Sequence, residues 1–383
     1  MNMQSSYDIV IVGGGIYGTS LAYALSKEDC SIGLFESDNF AAGASGGPGE
    51  RGVRASGRDL RELPIAARAR ELWKAYEETF TAGVGYRRTG GLAVFDTPPA
   101  GSLDELKGLA RQRATAQTRL GVNTTYLEGD RLFELEPELS PSVVGALYCP
   151  EDGTANHTYA TQQFGSRASE AGVDVVTGTS VATVNYSEGR AKSIDLDSGE
   201  SVGVNQSLVL LCNTSVPELL PPGQGQDLPL WSIYPQMVYV RDNRDKVINQ
   251  LISHLGRKLS MKQLPDGTFM LSGGLGIDND SLGAHGSLKA MTYNVQDAVA
   301  TFPFLSDAVF DKVNHERRDT VCVDGIPIID QPTGIVNTYF GVGWSGHGFA
   351  ISLGFTELIA SWLKTGDKPN MLSPFSIARF SSQ

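Results

Sequence analysis

The stretch "YDIVIVGGGIYGTSLAYAL" (7–25) constrains this chain more than any other. Tyr7 to Val12 form a nearly continuous apolar run, the pattern of a strand buried in a parallel sheet. Three glycines follow, and then Leu21, Ala22 and Leu25 mark one face of a helix. "SIGLFE" (31–36) reads as a second strand, closing a βαβ unit. Within it, Gly13, Gly15 and Gly18 fit the spacing G-x-G-x-x-G. Such a loop needs its first glycine for a tight turn. The second lets the backbone approach a pyrophosphate, and the third lets helix and strand pack closely. The helix N-terminus then offers unpaired N–H groups to the phosphate charge. Glu36 ends the second strand, where a carboxylate can accept hydrogen bonds from a ribose diol. The segment predicts dinucleotide binding.

A second glycine-rich stretch, "GVGWSGHGFAISLGFTELIASWL" (341–363), lies near the other end. Gly343, Gly346 and Gly348 again put bare backbone in front of a helix with an apolar face. A helix N-terminus there would stabilise negative charge on a bound ring through backbone N–H groups and the helix dipole. Both loops are expected to serve one ligand, one at each end.

Between them the pattern is mixed. Residues 58–80 and 102–121 read as helices, and 85–97 as a strand broken by glycine. "TYATQQFGSRASEAG" is helical, followed by four strands through "SLVLLC". "PELLPPGQGQDLP" marks a crossing between domains. Residues 230–316 alternate apolar and polar positions around turns such as "PDGT", predicting an antiparallel sheet. "TYFGVG" returns to a buried strand, and the last helix should stop near Gly366.

Composition excludes several classes. The formal net charge of −12 leaves little to neutralise phosphates, so no nucleic-acid partner is expected. Cys30, Cys149, Cys212 and Cys322 lack metal-ligand spacing, so no metal site is expected, and their scatter fits a reducing compartment. The start of the chain lacks the basic-then-apolar pattern of a signal peptide, and no apolar run is long enough to span a membrane. The expected location is cytoplasmic.

Beyond Glu36, the segments "GASG", "ERGVR", "LEPELSPSVVGALYCPEDGTAN", "GVDVVTGTSV", "DGIPIID" and "GVGWSGHGF" occur in order along the whole chain. In these segments the chain resembles the FAD-dependent D-amino acid oxidase superfamily, in its sarcosine oxidase and glycine oxidase branch. The resemblance implies an α/β fold. A Rossmann-type FAD-binding domain of glutathione-reductase-like topology would comprise residues 1–85, 150–220 and 320–383. An α+β substrate domain built on an antiparallel sheet would comprise 86–149 and 221–319. It implies FAD contacts from Gly13, Gly15, Ile16, Tyr17, Gly18, Glu36, Ser37, Ser45, Arg51 and Val181. Gly346, His347, Gly348 and Phe349 would lie against the flavin ring.

The implied chemistry is oxidation of a C–N bond in a small amine or amino acid. Hydride transfer to flavin N5 gives an imine, which water hydrolyses; oxygen or another acceptor then takes the electrons. Arg54 and Arg318 are alternative anchors for a substrate carboxylate, because a guanidinium fork matches that group. His347 and Lys262 are candidate residues near the reacting centre. Three departures from the resemblance stand out. Cys322 lies only two residues before Asp324, so the cysteine of the covalent-flavin branch has no counterpart and FAD is expected to bind non-covalently. The oxygen-activating lysine of that branch has no match in "TFMLSGGLG". Asn213 stands where glycine is usual. Three alternatives remain. The chain could be a dehydrogenase feeding a quinone or protein, or a flavoprotein subunit of a heteromeric oxidase. The third, a NAD-only dehydrogenase, is disfavoured by the closing glycine loop.

Overall fold

A computed structural model describes residues 3–98, 101–273 and 286–381. The opening run forms the strand Ser6–Val12, at the centre of an eight-stranded sheet. Ile32–Phe35 and then Asp174–Val176 lie on one side of it, all parallel. On the other side lies Ser201–Leu210, also parallel. That ten-residue strand is shared. Its start pairs antiparallel with Arg190–Leu196, which pairs with Val181–Ser187. Its end pairs parallel with Thr338–Val342, which carries Ile328–Asp330 at its outer edge. The meander is thus grafted onto a Rossmann-type parallel core.

Side chains alternate across the central strand. Ile9 and Ile11 enter one apolar cluster, and Val10 and Val12 another. Helices Ile16–Leu25, His157–Glu170 and Gly348–Thr365 pack together over the first face, with Leu63–Thr79 against the last of them. Gly366, at φ +77°, ends the final helix where expected.

The second large sheet has eight strands. In order they are Val309–Asn314, Met237–Arg241, Phe269–Ser272, Ser260–Gln263, Leu251–His254, Gly91–Asp96, Val143–Cys149 and Thr125–Leu127. The expected antiparallel pairing holds except at one seam, where Leu251–His254 runs parallel to Gly91–Asp96. The seam joins chain segments distant in sequence, so no hairpin dictates their direction. Two parts of residues 230–316 depart from the alternating reading. Leu230–Ile233 leaves the sheet to pair with Asp319–Cys322, and Leu288–Thr301 is a helix. Residues 274–285 lie outside the described residues. A small sheet of Glu50–Val53, Gly153–Asn156 and Tyr86–Arg87 completes the ladder pattern and positions the arginine-rich segment.

Glu136 is fully buried at the end of the short helix Asp130–Leu135. One carboxylate oxygen accepts from the backbone N–H of Asn249 at 2.8 Å and of Gln250 at 2.7 Å, and the other has no partner among the described residues. Burial pushes its pKa up to about 7 from 4.5. The folded chain therefore holds a proton that the unfolded chain has released, and stability falls as pH rises from about 4.5 to about 7. Glu136→Gln mimics the protonated side chain. Its denaturation midpoint is expected to exceed that of the parent at pH 8, with the advantage gone by pH 5. A pH-independent difference would show that the carboxyl does not titrate as described.

Candidate active site

The first glycine turn separates packing requirements from ligand requirements. A Cβ at Gly13, whose φ is +111°, would lie 2.7 Å from the Leu211 carbonyl oxygen. A Cβ at Gly18 would lie 1.8 Å from the Gly13 carbonyl oxygen. A Cβ at Gly14 would meet that of Glu36 at 2.6 Å, where the Gly14 N–H donates to the Glu36 carboxylate. A Cβ at Gly15 would meet nothing within 4 Å. The protein's own atoms, backbone at Gly13 and Gly18 and the Glu36 side chain at Gly14, thus require the other glycines, whereas Gly15 alone faces open space. It caps the helix Ile16–Leu25 without any side-chain cap, leaving the first-turn donors free.

That space is a cleft of about 1700 Å³, counting its open mouth. Gly13, Gly15, Ile16, Tyr17, Glu36 and Ser37 line it, with Val181, Thr179 and Ser180. Ser45 and Arg51 also line it, as do Gly346, Gly348 and Phe349. Gly18 does not line the cleft; its smallness serves the turn. The Tyr17 hydroxyl is spent on the Gly348 carbonyl at 2.6 Å, so this residue offers the cleft its backbone and ring. Arg51 donates to the carbonyls of Ser45, Gly47 and Glu50, pinning the loop that covers the cleft. His157, absent from the sequence reading, lines the cleft beside Arg51. Its Nε2 lies 2.8 Å from the Gly47 carbonyl, and burial followed by Arg51 repulsion pushes its pKa down to about 4. The ring is therefore neutral and donates there.

The closing loop has already committed most of its N–H groups. Gly343 donates to the Thr320 hydroxyl at 2.9 Å, Ser345 to the Thr320 carbonyl at 2.9 Å and Gly346 to Asp319 at 2.8 Å. The N–H groups of Gly348 and Phe349, in the first turn of Gly348–Thr365, have no side-chain acceptor among the described residues. Asp319 was not visible in the sequence, where it is one acid in a charged run. It is 4% exposed and also accepts from the Thr320 N–H at 2.9 Å and the Asn213 amide at 3.0 Å. Asn213 has φ +48°, which accounts for asparagine in a position that suits glycine.

A second cavity adjoins the cleft, and Pro235, Met237 and Gly346 line both. Arg54 and His347 line this cavity rather than the cleft. His347 Nε2 lies 2.8 Å from a carboxylate oxygen of Glu62, which is buried, and Nδ1 lies 3.0 Å from the Ser345 carbonyl. The structure does not bring Arg318 to either cavity; it is exposed. Lys262 is 6% exposed and lines a separate polar cavity with Arg87 and Thr154. Burial, and then Arg51 repulsion, push its pKa down to about 7.

These residues fit a dinucleotide. The cleft is long, its first end is an uncapped helix N-terminus behind a glycine with room in front, and a second helix N-terminus opens on it. The fold and site define a dinucleotide-dependent oxidoreductase. The chain belongs to the FAD dependent oxidoreductase family, whose model matches residues 8–362, and FAD is its cofactor. It is 24% identical to the sarcosine oxidase subunit beta of Arthrobacter sp, over 98% of this chain and 92% of that one. Among solved structures it resembles L-proline dehydrogenase from P. horikoshii, with TM-score 0.87 and 21% identity over 99% of this chain and 98% of that one. It also resembles glycine oxidase from Geobacillus kaustophilus, with TM-score 0.81 and 19% identity over 99% and 100%.

Gly15→Val and Gly18→Val are expected to fail differently. The Gly15 variant should keep the unfolding midpoint of the apoprotein and lose FAD, since only the ligand occupies the space. The Gly18 variant should lose stability without any ligand, by about 1–3 kcal/mol or more. Titration with FAD and denaturant unfolding of the apoproteins separate the two. Equal apoprotein stabilities would contradict the assignment.

Proposed function

We propose that the protein oxidises the C–N bond of a small amine or amino acid, a secondary amine or glycine-like compound. The observation that carries this reading is the Arg54-lined cavity sharing Pro235, Met237 and Gly346 with the cofactor cleft. A substrate carboxylate held by Arg54 would direct its neighbouring carbon towards the shared wall. In this reading residues 1–85, 150–220 and 320–383 form the FAD-binding domain, and 86–149 with 221–319 the substrate domain.

Bound FAD supplies a two-electron acceptor. The substrate gives up its α-hydrogen with two electrons, and its amine gives up a proton. Water hydrolyses the resulting imine to a carbonyl compound and a smaller amine or ammonia. The chain's own contribution is placement and charge. Arg54 fixes the carboxylate. Gly348 and Phe349 line the cleft at the positive end of a helix dipole, where their N–H groups would stabilise negative charge on the ring. Asp319 holds the loop that presents them. His347, fixed by Glu62, forms part of the cavity wall and would meet a substrate bound there.

Cofactor attachment is read as non-covalent. Cys322 is fully buried outside the cleft, and the Cys212 thiol, which does line it, is pushed up to about 12 by burial. The four cysteines are free, which fits a reducing, cytoplasmic location. A second reading, a flavoprotein subunit of a heteromeric enzyme, is favoured by the full-length similarity to a sarcosine oxidase beta subunit; in either arrangement the electrons could pass to oxygen or to another acceptor. Co-purification of a partner, and flavin reoxidation in air compared with an added quinone, would distinguish these arrangements.

After acid precipitation the supernatant should be yellow and the pellet white; flavin remaining with the denatured chain would exclude non-covalent binding. Arg54→Ala should weaken binding of a carboxylate-bearing substrate by about 2–5 kcal/mol. Arg54→Lys, which keeps the charge but loses the fork, should cost less, and flavin content should be normal in both. Anaerobic flavin bleaching reads the loss directly. If Arg318→Ala shows the loss and Arg54→Ala does not, the anchor lies elsewhere.

A further inference from the structure

The cavity beside the flavin cleft is lined by three carboxylates, Asp59, Glu62 and Asp324, and by arginines that none of them pairs with. Arg54, Arg58 and Arg113 all line it. Arg58 is 7% exposed. Its Nε donates to the Arg54 carbonyl at 3.0 Å, and its terminal nitrogens have no protein acceptor among the described residues. Arg113, at the exposed rim, donates to the Arg58 carbonyl at 3.2 Å, which ties the two together. None of the three forms an ion pair among the described residues.

The neighbouring carboxylates make their close contacts elsewhere, and Glu62 and Asp152 attract Arg58 only through space. Glu62 holds His347. Asp152 accepts from the N–H groups of Ala55 and Ser56 and from the Ser56 hydroxyl. Asp59 and Asp324 are held by Arg61 and Arg379. Burial, and then repulsion from Arg54, push the Arg58 guanidinium down to about 10, and burial also lowers Arg54. A buried Arg58 guanidinium and a half-buried Arg54 guanidinium, both with unfilled forks on one cavity, are costly unless a ligand supplies anions.

We propose that this cavity contains a second anion subsite, formed by Arg58 and backed by Arg113, and that the substrate is an amine or amino acid bearing two carboxylates. Arg54 takes one carboxylate and Arg58 the other, with the reacting C–N bond between the cavity and the cleft. The inference rests on the C–N oxidation reading, because it requires the amine to enter this cavity.

Sarcosine and iminodiacetate make a matched pair, since they share an N-carboxymethyl amine and differ by one carboxylate. Acetate against succinate and glutarate provides the same contrast without reaction. With the holoenzyme under anaerobic conditions, flavin bleaching and perturbation of the flavin band give apparent affinities. The dicarboxylates are expected to bind at least about tenfold more tightly, as for an added charge-assisted fork. Arg58→Met should bring that ratio close to one, and Arg113→Gln should lower it less. If Arg58→Met fails to accumulate as folded holoenzyme, Arg58→Lys and the wild-type ligand comparison decide. A ratio near one in the wild type, or a preference that survives loss of the Arg58 fork, overturns the subsite. The failure of every carboxylate, single or double, to affect the flavin overturns the C–N oxidation reading itself. Equal binding of both classes removes only the second subsite.

Discussion

The hydrogen bond from the Tyr17 hydroxyl to the Gly348 carbonyl, 2.6 Å long, joins residues 331 positions apart and brings two helix N-termini to one cleft. Tyr17 also stacks on Trp344, with ring centroids 3.8 Å apart. One turn further, Ser20 and Thr356 meet at 3.3 Å between the same two helices. A dinucleotide carries charge at its pyrophosphate and develops charge at its ring, and each is best met by backbone donors that stay fixed. The Tyr17 contact fixes one set relative to the other. Its hydroxyl is buried, so without the Gly348 carbonyl it would carry an unpaid desolvation cost.

Asp319 decides which donors remain available. By accepting from Gly346, Thr320 and Asn213 it uses a buried carboxylate to hold the closing loop. Burial raises its pKa while those three donors oppose the shift. With Gly343 and Gly346 committed to Thr320 and Asp319, the residues left to face a ligand are those of the first helical turn. The glycines of this loop thus serve mostly its own folding. Gly343, at φ +79°, would place a Cβ 2.9 Å from Leu230.

Three arginines close in sequence are distributed between two cavities by a short strand. Glu50–Val53 pairs with Gly153–Asn156, with Arg51 opposite Ala155. That ladder directs Arg51 to the cofactor cleft. The strand ends at Val53, and the chain then turns, anchored by Asp152 and by the Gln117 side chain, which accepts from Gly57 at 2.8 Å. Arg54 and Arg58 consequently line the neighbouring cavity. A helical spacing rule would have put Arg51 and Arg54 on one side, and the turn overrides it.

The sequence alone determined the βαβ opening, the glycine turn with its acid at Glu36, the closing helix and its stop at Gly366. These depend on local patterns: apolar period, positive φ and helix termini. It also carried the family resemblance and twelve of the residues that line the cofactor cleft. Other features required the tertiary structure, because they depend on contacts between distant segments. The parallel seam between Leu251–His254 and Gly91–Asp96 is one, and the placement of Lys262 and Arg318 away from the cofactor cleft is another. The roles of His157 and Asp319 belong with them. A histidine or an aspartate has no periodic signature; what it touches, and how deeply it is buried, are settled only when strands from opposite ends of the chain pack side by side.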